Sequence, residues 1–331
     1  MAAGYFTTDG IDFNEIWYRG VVPAMDAYRV ASLPVLDRMA MPYDESIFKY
    51  AIATRNGWQK IGTGQQPDRR IVEWAWVYPK VEKYGVAVGT DRDTLLRSTG
   101  REIMINLQRP FREDPENVLS QMLRVMMIDP STSNAGGGFW NGAFATEEGI
   151  TAPPAFQQNT FAASHNHYFT SGAATYTVAS LSQAVETIMH HGYTGQIVAL
   201  CNSLQRQELE DNASFVSTSV QVKNPVTDAV SIDGFNQVFR VLGVDHYVTA
   251  LVPSGYVLYM VVSEAEGNRP LIHYEPRNLR GLQVFPGRDP NHPLIDSFWE
   301  RWMGFKVWLR GAGACMQITA SASFTDPTFA D

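Results

Sequence analysis

Between Arg70 and Tyr78 the chain reads Arg-Ile-Val-Glu-Trp-Ala-Trp-Val-Tyr, and a strand sends alternate side chains to opposite faces. One face collects Val72, Trp74, Trp76 and Tyr78; the other collects Ile71, Glu73, Ala75 and Val77. The expected partner strand is Trp58 to Thr63, reached through the polar turn Gly64 to Arg69, so that a hairpin spans about Gly57 to Pro79. A two-stranded ribbon alone is marginal in water, and an uncovered aromatic face marks a contact with another molecule. The alternative is a strand pair buried within one domain, because Trp and Tyr also fill cores.

Elsewhere the apolar spacing predicts a short helix through Leu95 and Leu96, with Thr90 and Asp93 as its capping box. A longer helix is predicted over Glu116 to Ile128, with Asp114 as N-cap, Pro115 at its first position and Leu119, Met122, Leu123, Met126 and Met127 as its buried stripe. Residues 131 to 177 carry almost no periodicity, which makes them a functional loop or one shaped by neighbouring chains. A second amphipathic helix follows over Ser180 to His191, capped by Gly192, then a buried strand at Ile197 to Leu200 and a helix capped by Asn202 or Ser203. Strands are expected at Val220 to Lys223, Val238 to Leu242, Tyr247 to Val252 and Tyr256 to Val262. Phe298 to Trp302 reads as a helical turn, and Phe305 to Arg310 pairs with Cys315 to Thr319 as a hairpin across Gly311-Ala-Gly313. The class is α+β.

Composition narrows the function. The 331 residues are 45% hydrophobic and 18% charged, a globular balance. The formal net charge of −8 and the absence of any Lys/Arg run argue against phosphate-driven nucleic-acid binding. The longest apolar stretch, Tyr247 to Val262, is broken by Pro253-Ser-Gly255, so no spanning helix and no membrane partner are expected. No signal peptide is visible. Cys201 and Cys315 are too few for a disulfide framework and fit a reducing compartment.

Candidate chemistry is sparse. His165 and His167 could share a strand face as metal ligands, but no Cys, Asp or Glu lies close in sequence to complete a site, and loop-lining histidines are the better reading. His190-His191 sits in the last turn of a helix, where cations suit the dipole. Glu147-Glu148 reads as solvated charge or an intersubunit salt bridge. Gly136-Gly-Gly138 lacks the Lys and Ser/Thr of a phosphate loop, and no nucleophile elbow exists. Cys201 reads as core. Catalytic, cofactor-binding and metal residues are therefore none. The intersubunit candidates are Trp58, Val72, Trp74, Trp76 and Tyr78.

The order of these elements resembles the major capsid protein of tailed phages, with the Hong Kong 97-type fold. Members run from an N-terminal arm through a long two-stranded extended loop into a peripheral domain with a spine helix, then an axial domain, and back to the peripheral domain. Carried onto this chain, residues 1–50 are the arm, 51–90 the extended loop, 91–176 and 290–331 the peripheral domain, and 177–289 the axial domain. The helix at Glu116 to Ile128 matches the spine helix, and the tail Phe298 to Ile318 matches the closing segment. The resemblance implies a structural subunit, without catalysis or cofactor, that self-assembles into hexamers and pentamers of an icosahedral shell around viral double-stranded DNA. The shell would be assembled in the host bacterial cytoplasm. In such shells the extended loop lies over a neighbour and the arm laces under another. Expected partners are the chain itself, a portal, decoration proteins and, since no long charged helical leader is seen in the arm, a separate scaffolding protein or none. Lys60 lies in the hairpin, but no crosslink acceptor can be matched. Two alternatives stand beside this reading: an encapsulin-like nanocompartment in the same fold, and a metal-dependent hydrolase using His165 and His167.

Overall fold

The structure is a computed structural model that describes residues 6–24, 28, 36–51, 74–89, 92–107, 109–132, 137–142, 150, 152–156, 159–193, 195–211, 236–263, 265–286 and 297–329. It is a mixed α+β fold in two compact units, the first Met1–Leu33, Val81–Ser120 and Tyr274–Gly304, the second Pro34–Lys80, Gln121–His273 and Phe305–Asp331. None of the described helices is long and apolar enough to cross a membrane.

In the first unit, the strand Ser297–Val307 pairs antiparallel with Glu82–Val88 on one side and with Gln283–Pro286 on the other. Glu300 stands opposite both Gln283 and Gly85. This corrects the helical turn expected at Phe298 to Trp302. Phe298 is exposed while Trp299 is wholly buried, the period-two signature that two bulky neighbours had obscured. Trp299 joins Phe13, Ile16, Trp17, Val21, Leu95, Ile103, Leu107 and Leu282 in one core. The helix Arg92–Arg97 is the one expected through Leu95 and Leu96; its expected cap, Thr90, lies outside the described residues. A second begins at Gly100, held by a capping box that the sequence reading passed over: the Thr99 N–H donates to Glu102 Oε2 at 2.8 Å, and the Glu102 N–H donates back to Thr99 Oγ1 at 3.4 Å.

The long helix runs Arg109–Met127 with Pro115 inside it, not from Glu116. Asp114 does not cap it. Its carboxylate takes a hydrogen bond from Tyr28 Oη at 2.7 Å and is ion-paired to Arg301. Arg301 also donates from Nε at 3.0 Å and Nη2 at 2.7 Å to Glu275 Oε1. All three charged side chains are at most 10% exposed. Pro115 has no N–H to give, so the turn before it is held by these long-range contacts as much as by the backbone. The predicted stripe of Leu119, Met122, Leu123, Met126 and Met127 is buried throughout.

The second unit is built on a six-stranded sheet ordered Tyr168–Thr170, Gly313–Gln317, Tyr256–Val262, Gln196–Cys201, Val244–Val248, Asn236–Val241. The first pair and the pair Gln196–Cys201 with Val244–Val248 are parallel; the rest are antiparallel. Every residue of Tyr256–Val262 is buried, which explains its unbroken apolar run. The helix Val178–Met189 is N-capped by Thr177, and the helix Ser203–Glu210 by Asn202. Leu181, Ala184 and Ile188 of the former pack with Ala199, Val257, Tyr259 and Met316 of the sheet. The expected tail hairpin does not form. Gly313–Gln317 pairs with Tyr256–Val262 and Tyr168–Thr170, whereas Ser297–Val307 belongs to the other sheet. The alternation correctly marks strands here, but the glycine turn does not fold them on each other. The predicted strand Val220 to Lys223 lies outside the described residues.

Candidate functional site

The antiparallel pair Phe48–Ala51 with Trp74–Val77 carries the aromatic face, in the register Phe48↔Val77, Lys49↔Trp76, Tyr50↔Ala75 and Ala51↔Trp74. The observed partner of Trp74–Val77 is thus Phe48–Ala51, not Trp58 to Thr63; the latter segment, with Trp58 and Val72, lies outside the described residues. The alternation holds. Ala75 and Val77 are buried, while Trp74, Trp76 and Tyr78 are 53%, 40% and 45% exposed. On the covered side, Phe48 and Tyr50 meet the Trp308 ring edge-on at 5.2 and 5.5 Å between centroids. On the open side, Lys49 Nζ lies 5.3 Å over the Trp74 ring, a contact of the kind worth about 0.5–1 kcal/mol when exposed. Backing on Trp308 fixes where the ridge stands, and the ridge itself keeps its apolar surface open.

A second feature was invisible as a unit in the sequence. The segment carrying His165 and His167 folds against the end of the helix Val178–Met189, so that His165, His167, His190 and His191 bring ligand-capable nitrogens within 4.8 Å of one another. The Nε2 atoms of His165, His167 and His191 form a triangle with sides of 2.9 to 3.0 Å. His167 is wholly buried, and its Nδ1–H donates to the Gly313 carbonyl at 2.6 Å. That bond assigns the proton to Nδ1 and leaves Nε2 as a lone pair. Phe161 stacks on the His191 ring at 4.2 Å. Gly311 packs so closely against that ring that an added Cβ would sit 3.0 Å from it. Burial lowers the pKa of His165 to about 4, of His167 to about 3 and of His191 to about 2, and also lowers that of His190. His190 is the C-cap residue, but a neutral ring is not the dipole-complementing cation expected from its position. In the sequence each pair stands alone; what no local signal gives is that a loop pair and a helix-end pair complete each other.

The remaining candidates resolve simply. Cys201 and Cys315 are buried free thiols, and burial pushes Cys201 up to about 12. Glu147, Glu148 and Gly136 lie outside the described residues.

No family model matches the sequence, and no curated protein matches it. Solved structures do. One from Mycobacterium phage Patience is 18% identical with a TM-score of 0.64, covering 97% of this chain and 92% of its own. The capsid asymmetric unit of cyanophage Pam1 is 13% identical with a TM-score of 0.50, covering 87% and 90%. The holo-SrpI encapsulin complex from Synechococcus elongatus PCC 7942 is also 13% identical at 0.50, covering 93% and 91%. The chain has the fold of the tailed-phage major capsid protein, a fold that encapsulin shells share.

Proposed function

We propose that this chain is the structural subunit of a self-assembling icosahedral shell, the major capsid protein of a virion enclosing double-stranded DNA, and that it acts by geometry without catalysis. The observation that carries this reading is the shared fold over 97% of the chain with the Mycobacterium phage Patience structure. The exposed ridge fits the same reading. Trp74, Trp76 and Tyr78 present aromatic surface on a short strand pair seated on Trp308, and buried aromatics dominate most protein interfaces. Residues 51–90 then act as the extended loop lying over a neighbouring subunit, with Trp58 and Val72 continuing its contact face. Residues 1–50 act as the arm, 91–176 with 290–331 as the peripheral domain and 177–289 as the axial domain. Hexamers and pentamers would use the same contacts at slightly different angles. The net charge of −8 suits a wall that contains DNA without gripping it. Scaffolding, portal and decoration proteins complete the proposed partners.

The test is electron microscopy and size-exclusion chromatography of the expressed protein beside its Trp74→Ala/Trp76→Ala variant. Closed shells or free capsomers from the wild type, with soluble but unassembled variant, support the proposal. Wild-type shell yield from the variant removes the ridge from the mechanism. Packaged enzyme instead of DNA in native particles would favour the encapsulin reading.

A further inference from the structure

We propose that His165, His167, His190 and His191 form a structural site for one divalent first-row transition-metal ion, with zinc as its occupant. The Nε2 atoms of His165, His167 and His191 touch one another in a triangle whose sides are 2.9 to 3.0 Å. Each of the three nitrogens presents either an N–H or a lone pair toward the others. With two states and three mutually touching atoms, at least two must be alike, so at least one contact opposes proton to proton or lone pair to lone pair. No tautomer or protonation pattern satisfies the cluster. A cation in its centre does, because all three lone pairs then point at positive charge.

Three further observations favour the metal. The His167 Nδ1–H bond to the Gly313 carbonyl is the outer contact that holds a ligating imidazole in the correct tautomer. His190 Nε2 is buried and has no hydrogen-bond partner, which is costly for a polar atom and is relieved if it becomes the fourth ligand. Finally, the site lies at the C-terminal end of the helix Val178–Met189, where the helix dipole favours positive charge. That offsets part of the cost of binding a dication with four neutral ligands beside Arg310, whose guanidinium is held on the Gly138 and Phe139 carbonyls and the Trp140 ring.

The ligand chemistry narrows the ion to a transition metal, and a closed shell of four neutral ligands suits tetrahedral zinc. Imidazole suits zinc, copper, nickel and iron, while magnesium and calcium take oxygen. Tetrahedral zinc with Zn–N bonds near 2.0–2.1 Å sets its nitrogens about 3.3 Å apart. The triangle therefore opens by a few tenths of an ångström on loading, and His190 swings inward to close the shell. Four protein ligands leave no position for a reactive water, so the site clamps the Phe161–Tyr168 segment to the helix end and does no chemistry.

The experiment uses tag-free full-length protein stripped with EDTA, desalted and given zinc chloride, with cobalt chloride in a parallel sample. The expected result is one zinc per chain by elemental analysis, a melting temperature raised by several degrees, and visible absorption bands from tetrahedral cobalt. His165→Gln and His190→Gln, both at half-buried positions, should weaken zinc binding at least tenfold while keeping the circular dichroism of the apo protein. Wild-type protein without stoichiometric zinc overturns the proposal. So does a colourless cobalt sample, which needs no variant to interpret, or wild-type zinc affinity in both variants.

Discussion

Replacing Arg301 with Met isolates the energetics of the first unit's buried ion network. The guanidinium is 8% exposed and engages Asp114 and Glu275, which are 5% and 10% exposed. Arg301→Met keeps much of the side-chain volume but strips Asp114 and Glu275 of the guanidinium they share, while Tyr28 Oη still donates to Asp114. Breaking a buried pair by removing one partner costs about 3–5 kcal/mol, because the surviving charge is uncompensated. Against a typical total stability of about 5–15 kcal/mol, that is a large fraction. At an m-value near 3 kcal/mol/M, a loss of 4 kcal/mol moves the urea midpoint by about 1.3 M. The assay is urea unfolding of unassembled subunit followed by tryptophan emission, since Trp299 is wholly buried in the same unit. The triple variant Asp114→Asn, Glu275→Gln, Arg301→Met removes every charge and should regain at least half of the loss. A single-variant loss below about 1 kcal/mol would mean that the triad behaves like a screened surface pair. A triple variant no better than the single one would show that the lost contacts are packing and not charge.

Gly142→Ala places a Cβ 2.0 Å from the Ala163 carbonyl oxygen and 2.6 Å from Ser164 Cα. Backbone cannot yield cheaply, so a loss of about 2–4 kcal/mol is expected by thermal or urea melting, together with weaker zinc binding because His165 is the next residue; unchanged melting would refute the close approach. His246 is wholly buried, donates from Nδ1 to the Val244 carbonyl and faces the Tyr176 hydroxyl at 3.0 Å. Burial lowers its pKa to about 4, below the unfolded value near 6.5. Protons therefore bind the unfolded chain first: its contribution is whole above pH 6.5, falls as pH drops toward 4, and amounts to about 3 kcal/mol. The stability gap between wild type and His246→Gln should shrink over that window, and a pH-independent gap would contradict a neutral buried ring. Asn202→Ala removes the N-cap bond to the Leu204 N–H and should cost about 1 kcal/mol, read from the same melts.

Local chemistry carried much of this fold in the sequence. The helix Val178–Met189, the strands Gln196–Cys201 and Tyr256–Val262 and the open face of Trp74, Trp76 and Tyr78 all follow from periodicity that their immediate neighbours do not disturb. The failures share a different cause. Asp114 followed by Pro115 has the form of a helix start, but its carboxylate is claimed by Arg301, which is 187 residues away. Alternation around Gly311-Ala-Gly313 identifies strands without saying which strands they join. The two histidine pairs are 23 to 26 residues apart, and neither pair alone offers enough donors to propose a site. In each case the deciding partner is distant in the chain, where periodicity carries no information.

The place of Gly313–Gln317 in the six-stranded sheet has a consequence for synthesis. This strand enters between Tyr168–Thr170 and Tyr256–Val262, an interior position filled by a segment synthesised after both of its neighbours. A polypeptide broken off before Gly313 bares an edge of Tyr256–Val262, all apolar, and takes from Tyr168–Thr170 its parallel partner. Such an edge recruits stray strands instead of a proper partner, and it also strips His167 of the Gly313 carbonyl that orients it. Truncated translation products are thus marked as defective by the topology itself, before any shell could incorporate them.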